Sequence, residues 1–511
     1  MSLSKNTFNR GQGGLGRTTP NNDGISGFIG YVSSVSGTSI TASQGYKLYG
    51  ISDLEALGLT NTSIGETQAT AVDTISITTA GATNDTLEIK FTNYDGTVIS
   101  LGVYTVASTD TTATLQATAI KAFINSYTWK HGFVCNDGST GTKKTLVAPV
   151  GLGIYPNTKT VTFTQNSGAT MVLASAVAFS SGVASVLNPI YYHVSEYFRA
   201  NANGILYFML CTSESDYSVG LLALQSFANG SLRRCGIYST ASFTTGKVTS
   251  LQTVATTLEG SNYNNPLSLI ATFDFSGTAF ASLPSLVLSS KNVSISIGQD
   301  AGANGFKIWN AQGKTVGSVG NAIGTRSSGQ VSDSIGYKGK FNVTDGTELN
   351  VVSIGCTSNP LVSSLTPSQL DSLDNLRYLF LIKGKTIDGT FYNNGNTCIT
   401  LTSDYAYIEN NETIDKVVRL ANADLEPFQQ SSILLNADGT ISTLSANAIE
   451  QAIETDLNQV VSDGDISAVS VSVPTSQNVV STGIVNVTIK IVPVAIARQF
   501  TINIGFTPKL S

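Results

Sequence analysis

Residues 204–211 read GILYFMLC, a continuous apolar run of the length that a fully buried β-strand has. A helical pattern precedes this run at residues 192–199, and another follows it at residues 220–227 and stops at Gly230. Strands that are apolar on both faces and alternate with helices are typical of a parallel sheet with helices on both sides. This stretch therefore predicts a doubly wound α/β fold.

The same alternation extends in both directions along the chain. Downstream, the pattern predicts one further helix and three further strands, at residues 248–258, 235–238, 267–273 and 293–297. Upstream, SDLEALGL at residues 52–59 predicts a short helix that ends at Gly58. We assign residues 34–67 and 188–374 to one α/β domain within a multidomain chain of α+β and α/β character.

Residues 68–187 have a different composition, in which Thr, Ser, Ala and Val dominate. Alternating stretches such as LEIKF at residues 87–91 and TVTFT at residues 160–164 predict strands. One helix is predicted among them, at residues 112–127. We predict a β-rich domain inserted into the α/β domain, and it must leave the core at a surface because both its ends join the core.

Residues 375–511 are predicted to form a C-terminal α/β domain. Its expected strands and helices lie at residues 377–382, 398–401, 408–428 and 446–460. Two alternating stretches follow, one before and one after Pro493. The apolar residues on one face of these stretches are Val485, Val487, Ile489 and Ile491, and then Phe500, Ile502, Ile504 and Phe506. A regular strand near a chain end is able to pair with another molecule.

Charged residues are scarce in this chain. They make up 12% of its 511 residues and give a net charge of −6, whereas ordinary soluble domains carry about 25%. A subunit that covers its surface with copies of itself needs fewer charges, because interfaces are depleted in Lys, Glu and Asp. A secreted β-rich protein has a similar composition, so both interpretations stay open. The sequence has no run of Lys and Arg, which argues against nucleic-acid binding.

The cysteines and the N-terminus indicate a reducing compartment. The five cysteines are far apart in the sequence and form no C-x-x-C pair: Cys135, Cys211, Cys235, Cys356 and Cys398. We expect buried free thiols rather than disulfides or a zinc site. Residues 1–20 lack the apolar segment of a signal peptide, and no apolar stretch approaches the 18 residues of a membrane helix. We therefore expect folding in a cytoplasm and no membrane insertion.

The glycine-rich motifs do not meet the requirements of nucleotide binding. GQGGLG at residues 11–16 matches the dinucleotide pattern, but a polar segment precedes it where a strand is required. GKT at residues 313–315 and at residues 384–386 lacks the glycine that a phosphate loop needs five residues earlier. We predict no cofactor site.

Catalytic and metal-binding residues are not expected either. The sequence has two histidines, His131 and His193, and no paired Cys and His residues that could bind a metal. It has no G-x-S-x-G motif. Asp404 and Glu409 lie at the start of the long predicted helix, and we interpret them as capping and solvated surface residues. We predict that the protein is not an enzyme.

Five segments, taken in order, resemble contractile tail sheath proteins of phages. They are residues 52–59, residues 191–211 (YYHVSEYFR and the apolar run), residues 228–237 (ANGSLRRCGI), the glycine-rich residues 317–339, and residues 414–419 (IDKVVR) with the terminal strand pair around Pro493. Each segment is weak alone, and their shared order carries the resemblance over residues 24–67 and 188–511. The insert resembles domains that recur in phage tail proteins, on residues 112–125 and 147–153.

The resemblance implies a structural subunit that works without a catalyst or cofactor. Copies would stack as rings around an inner tail tube, bind baseplate and tail terminator proteins, and drive the tube through a host envelope on contraction. The protein would assemble in a host bacterial cytoplasm and reside in the virion tail. Terminal arms, residues 1–33 and 484–511, would add strands to neighbouring subunits. The implied exchange residues are Ile25, Phe28, Val32, Val485, Val487, Ile489, Phe500, Ile502, Ile504 and Phe506.

Three other classes stay open at this point. The nearest is the sheath of a non-phage contractile injection system or of a bacteriocin, which the sequence does not separate from a phage sheath. A secreted β-rich adhesin or surface-layer protein is a different class, and the missing signal segment and the α/β middle count against it. An α/β enzyme with a binding domain is the third, and the failure of every site motif counts against it.

Overall fold

A computed structural model describes residues 22–506 of the chain. The predicted arm residues 1–21, the GQGGLG motif at residues 11–16 and the last five residues lie outside the described residues. The described chain begins with two strands and a short helix: β1 (Ser26–Tyr31), β2 (Gly45–Leu48) and α1 (Ile51–Ala56). Four single-turn 3-10 helices lie at Asn22–Gly24, Phe280–Ser282, Val362–Ser364 and Glu426–Phe428.

The inserted region contains seven strands and two helices. They are β3 (Thr70–Thr79), β4 (Thr86–Thr92), β5 (Val98–Thr105), α2 (Ala113–Ser126), α3 (Thr128–His131), β6 (Val134–Asp137), β7 (Lys143–Val147), β8 (Thr162–Gln165) and β9 (Val172–Leu173). The strands form two antiparallel sheets, of order β6-β7-β3-β9 and β5-β4-β8. Helix α2 starts where the side chain of Thr112 accepts a hydrogen bond from the Leu115 backbone N–H at 3.3 Å.

This inserted region has a hydrophobic core of its own. Ile75, Phe91, Ile120 and Phe179 are among its buried side chains. Backbone bridges between Thr67 and Val183 close its base. The region is β-rich with one long helix, as its alternating pattern predicts, and its side chains cover its own core rather than the main sheet.

The main α/β region and the C-terminal region supply the remaining elements. The first contains α4 (Asn188–Ala200), β10 (Leu206–Cys211), α5 (Tyr217–Phe227), β11 (Arg234–Ser242), α6 (Thr245–Glu259), β12 (Ser268–Asp274), β13 (Val293–Ile295), β14 (Gly298–Asp300), α7 (Asn304–Gln312), α8 (Val319–Ser328), β15 (Val352–Ile354), α9 (Pro367–Asn375), β16 (Leu381–Lys383) and β17 (Thr390–Tyr392). The second contains α10 (Ile408–Leu425), α11 (Thr443–Ser462), β18 (Ile466–Ser472), α12 (Val479–Thr482) and β19 (Thr488–Pro493).

A six-stranded sheet of order β13-β12-β11-β1-β10-β2 lies at the centre of the main region. Five strands are parallel, and β2 is an antiparallel edge strand. Successive residues of a strand face opposite sides of the sheet. Tyr31 packs edge-on against Tyr217 of α5, whereas Phe28 packs against His193 of α4. Helices therefore cover both faces, as the sequence of the 204–211 stretch predicts.

The position of β1 corrects the predicted N-terminal arm. β1 pairs with β10 along one edge and with β11 along the other, so its backbone groups are used within the subunit. Phe28 is 0% exposed and Val32 is 7% exposed, and Ile25 packs against the same core. From its sequence, a short apolar strand between glycines could lie at the edge or in the centre of a sheet. In the structure both faces of β1 are buried, and it lies in the centre of the sheet. Ile25, Phe28 and Val32 are thus core residues of their own chain.

The C-terminal region begins later than residue 375. Tyr378, Phe380 and Cys398 belong to the core of the main sheet, and Leu379 and Cys398 form bridges to residues next to β13. The separate C-terminal core starts within α10, at Val417. The expected strands at 377–382 and 398–401 are replaced by the short pair β16–β17 and by isolated bridges. No strand forms in residues 494–506, so the predicted last strand is absent from the described chain.

Candidate functional site at the C-terminal arm

The last described segment, residues 494–506, is called the C-terminal arm here. Its sequence, VAIARQFTINIGF, alternates large side chains with small or polar ones. Phe500, Ile502, Ile504 and Phe506 occupy alternate positions and have relative exposures of 79%, 75%, 91% and 110%. Such contiguous apolar exposure is rare in monomers and marks an interaction site. The period of two is that of a strand with one face to bury.

The two halves of the C-terminal arm have different surroundings. Val494 and Ile496 are half-buried, and together with Arg498 they line a groove of about 800 Å³. The opposite wall of this groove comes from the loop at residues 330–339 and from Asn393. Residues 494–498 therefore lie against their own subunit, Phe500 borders the same groove but is largely exposed, and residues 501–506 extend into solvent.

Arg498 holds the arm against the core. Its guanidinium group forms an ion pair with the Glu409 carboxylate and lies 3.5 Å from the centroid of the Tyr407 ring. The Glu409 side chain is 2% exposed, and burial raises its pKa. Gly395 leaves room for the carboxylate, because a Cβ atom at that position would lie 2.5 Å from Glu409 Oε2. We call Arg498, Glu409 and Tyr407 the arm anchor.

The arm anchor corrects one interpretation made from the sequence. Glu409 is the second residue of α10 and faces the core, so it is not solvated surface. Asp404 is exposed, as expected. The sequence contains no local indication that Glu409 is buried, because its partner lies 89 residues later in the chain.

The open edges of β18 and β19 lie close to the arm in sequence. These two strands form a sheet of their own, in which Ile489 is paired with Val471. No other strand within residues 22–506 pairs with either outer edge. Val485, Val487 and Ile489 pack partly against the C-terminal core. Unpaired edges of this kind are templates for strand addition by another chain.

A second set of charges joins α10 to the main sheet. Glu412 accepts hydrogen bonds from Arg234 Nε and Nη2, both at 2.9 Å, and also pairs with Arg326. These three side chains are at most 3% exposed. Burial alone would raise the pKa of Glu412, but Arg234 and then Arg326 lower it to about 2. The carboxylate is therefore charged at neutral pH and holds α10 on the sheet.

Lys416 extends this contact to the start of the described chain. Its Nζ lies 2.7 Å from Asp23 and 2.6 Å from Asp465. Asp23 also accepts a hydrogen bond from Arg234 through its backbone carbonyl, at 2.8 Å. We call these residues the buried ion cluster: Asp23, Arg234, Arg326, Glu412, Lys416 and Asp465. The two ends of the described chain therefore meet the same helix, α10.

Residues of the motifs considered for metal or phosphate binding pack or form ion pairs inside the fold. His193 is fully buried 4.6 Å from the Tyr238 ring, and burial lowers its pKa to about 3. Lys314 pairs with Asp274 at 2.6 Å. All five cysteines are buried and free, as predicted. Within residues 22–506, no group of His, Cys, Asp or Glu is arranged to hold a metal ion. No helix in that range has the length and apolarity of a membrane span.

Comparisons with known proteins found one family model and several solved structures that are similar to this chain. Residues 404–511 match a family model described as "DUF2586, C-terminal domain", and no curated protein matches the chain. Among solved structures, the contracted helical sheath of the anti-feeding prophage is 16% identical, with a TM-score of 0.43, and the match covers 62% of this chain and 81% of that one.

Two sheath tail proteins from bacteria give longer matches. The protein from Desulfitobacterium hafniense is 10% identical with a TM-score of 0.36, and the match covers 96% of this chain and 100% of that one. The protein from Listeria innocua is 10% identical with a TM-score of 0.37, covering 92% and 95%. These three solved structures are all of sheath proteins.

Proposed function

We propose that this chain is a sheath subunit of a contractile machine and that it assembles with copies of itself through its C-terminal arm. The observation that carries the proposal is the row of four exposed apolar side chains at alternate positions from Phe500 to Phe506. A strand with one apolar face and free backbone groups is stabilised when it joins a sheet edge. The proposed acceptor is an open edge of the β18–β19 sheet in a neighbouring subunit.

The chemistry of such a contact suits a repeating lattice. Main-chain hydrogen bonds along an added strand supply affinity, and pockets for alternate side chains supply specificity. The inner face of the β18–β19 sheet already carries Val471 and Ile489. An added strand would continue this apolar face with Ile502 and Ile504, and the low charge content of the chain fits a surface covered by copies of itself.

The wider role follows as part of the same proposal. Stacked rings would surround an inner tail tube and contact baseplate and tail terminator proteins, and the assembled sheath would form part of a phage tail. A change of inter-subunit packing would shorten the sheath and drive the tube through a host envelope. The insert, residues 68–187, would project outward from the tube. A non-phage injection system or a bacteriocin would use the same subunit chemistry.

Electron microscopy of the purified full-length protein tests the proposal. We expect regular hollow tubes from the wild type, alone or with an inner tube protein present. The double variant Ile502→Asp/Ile504→Asp should stay monomeric, because it places charges on the face that a neighbour must bury. Leu401→Asp is the matched control, since Leu401 is 60% exposed outside the arm and should leave tubes unchanged. Monomers of the wild type in every condition would contradict the proposal.

A further inference from the structure

We infer that Arg498 sets the point at which the C-terminal arm passes from its own subunit to a neighbour. Residues up to Arg498 stay on their own core, and the exchanged strand begins at Phe500. Arg498 is thus a positioning residue for assembly. The inference rests on the proposed function and adds to it the residue that decides where exchange starts.

The first step of the reasoning is the burial of Glu409. This carboxylate is 2% exposed, and its Oε2 atom makes no hydrogen bond. The nearby guanidinium of Arg326 is already paired with Glu412. A buried carboxylate that loses its cation is left with an uncompensated charge. The ion pair with Arg498 should therefore persist when the subunit enters a lattice.

The second step is the shape of the anchoring group. An arginine is planar, so it can pair with a carboxylate and stack on an aromatic ring at the same time. Arg498 does both, with Glu409 and Tyr407 as its partners. A lysine is a point charge and would keep the first interaction only. The anchor is therefore specific for arginine at this position.

The third step is the direction of the side chains. In an extended segment, residues 494, 496 and 498 share a face with residues 500, 502, 504 and 506. On that face, Arg498 pairs with Glu409 of its own subunit, and Val494 and Ile496 are half-buried. The same face of the same residues is then not free for a neighbour, so the transfer has to follow Arg498.

The fourth step is reach. Seven described residues, 500–506, follow the anchor and its next neighbour. An extended segment of that length spans about 25 Å. This is enough for the alternating stretch to lie along a strand edge of an adjacent molecule. Without the anchor, the arm would be attached to its subunit only at Pro493. A shift of the arm by two residues along the neighbouring strand would then keep the same face buried, so the register would not be fixed.

Site-specific photo-crosslinking separates the two halves of the arm. A benzophenone amino acid is placed at Ile496 or at Ile504 of the full-length protein, and tubes are assembled from equal amounts of isotopically light and heavy subunits. The crosslinked products are sized on denaturing gels and assigned by mass spectrometry. The same pair of positions is examined in Arg498→Ala, in Arg498→Lys and in the matched control Lys385→Ala, which removes an exposed cation on the loop between β16 and β17.

The expected change is a gain of interchain product at Ile496 when Arg498 is replaced. In wild-type and Lys385→Ala tubes, Ile496 should give crosslinks within one chain, and Ile504 should give light–heavy crosslinks between chains. In Arg498→Ala tubes, Ile496 should also give light–heavy products, because the boundary is no longer fixed. Arg498→Lys should show the same change to a smaller extent.

Two results overturn the inference without touching the proposed function. One is interchain product from Ile496 in wild-type tubes, and the other is an unchanged pattern in Arg498→Ala tubes. If no variant, including the wild type, forms tubes and Ile504 gives only intrachain product, the proposed function fails, and the exchange boundary fails with it. Arg498→Ala protein that stays folded by circular dichroism but forms no tubes supports the inference only if Lys385→Ala assembles normally, and otherwise counts against it.

Discussion

β1 and the C-terminal arm are both rich in apolar residues but have opposite surroundings. Both are short apolar stretches near a chain end, and both are predicted from the sequence to be exchanged between subunits. β1 has strands of its own chain along both edges and is fully buried, whereas the C-terminal arm has no strand partner within residues 22–506. A strand can be exchanged between subunits only when its own chain leaves one of its edges unpaired.

The largest expected effect comes from making the same substitution in both regions. Phe28→Ala should lower the free energy of unfolding by about 3–5 kcal/mol, because it empties a site in the closed core. Phe500→Ala should leave the free energy of unfolding of the monomer within about 0.5 kcal/mol of the wild type, because Phe500 is exposed. Urea unfolding of monomers measures both. Equal losses of unfolding free energy in the two variants would show that the two regions do not differ in burial.

A second large effect is expected in the buried ion cluster. Glu412→Ala leaves Arg234 and Arg326 buried without their shared carboxylate, and we expect a loss of about 3–5 kcal/mol in the free energy of unfolding. Glu426→Ala, which removes an exposed carboxylate at the end of the same helix, serves as the control and should be nearly neutral. Thermal unfolding at pH 7 measures the difference, and similar midpoints for the two variants would show that the cluster does not stabilise the fold.

Arg498→Ala should have an intermediate effect on the monomer. The arginine is 28% exposed, so the loss should be smaller than for Glu412, about 1–3 kcal/mol. Hydrogen exchange of residues 494–498 provides a second measurement, and these amides should exchange faster in the variant. Glu409→Gln/Arg498→Ala should recover part of the loss, because it removes the buried charge as well. No recovery would contradict the role of the ion pair.

A smaller, pH-dependent effect is expected at Asp415 on α10. Burial raises the pKa of this carboxyl to about 7, with Arg419 opposing the shift and Glu259 adding to it. The folded state then holds a proton that the unfolded state releases above pH of about 4. Stability should fall as the pH rises from about 4 to 7, by at most about 1.4 kcal/mol per pH unit.

Asp415→Asn removes this titration, so its stability should depend less on pH than that of the wild type between pH 5 and pH 8. Urea midpoints at the two pH values measure the change. Asp404→Asn, an exposed carboxyl close by, is the control and should follow the wild type. A wild type and an Asp415→Asn variant with parallel pH profiles would show that Asp415 is not protonated in the folded state.

The smallest expected effect distinguishes the two faces of the C-terminal arm. Thr501 and Asn503 lie between the apolar positions, so they face away from the side that a neighbour would bury. Thr501→Ala should change neither the free energy of unfolding nor the yield of tubes, whereas Ile502→Ala should lower the tube yield alone. Sedimentation of assembled material measures the yield. Equal yields for the two variants would show that the arm does not bind by one face.

Local patterns predict the elements of this protein better than they predict its contacts. The apolar run at residues 204–211 corresponds to β10, and the helix predicted at residues 112–127 corresponds to α2. The C-terminal boundary is misplaced, because residues near Cys398 complete the main core through bridges to distant strands. Such contacts depend on the fold as a whole and leave no local pattern in the sequence.

The arm anchor shows the same limit at a single site. Glu409 and Glu412 lie one turn apart on α10, a spacing that is visible in the sequence. Their partners come from β11, α8 and the arm, which are 178, 86 and 89 residues away. The alternation from Phe500 to Phe506 is readable because strand periodicity is local, whereas the burial of Glu409 is not.

The placement of the charges along α10 has a mechanical consequence. The N-terminal side of the described chain is attached through Asp23 to Lys416, and the C-terminal side through Arg498 to Glu409, seven residues earlier on the same helix. Tension applied to both ends of a subunit would be carried across two turns of α10 and, through the bond between Arg234 and Asp23, into the main sheet, without passing through the inserted region. The large inserted region could then vary or be lost without altering the tensile strength of the lattice.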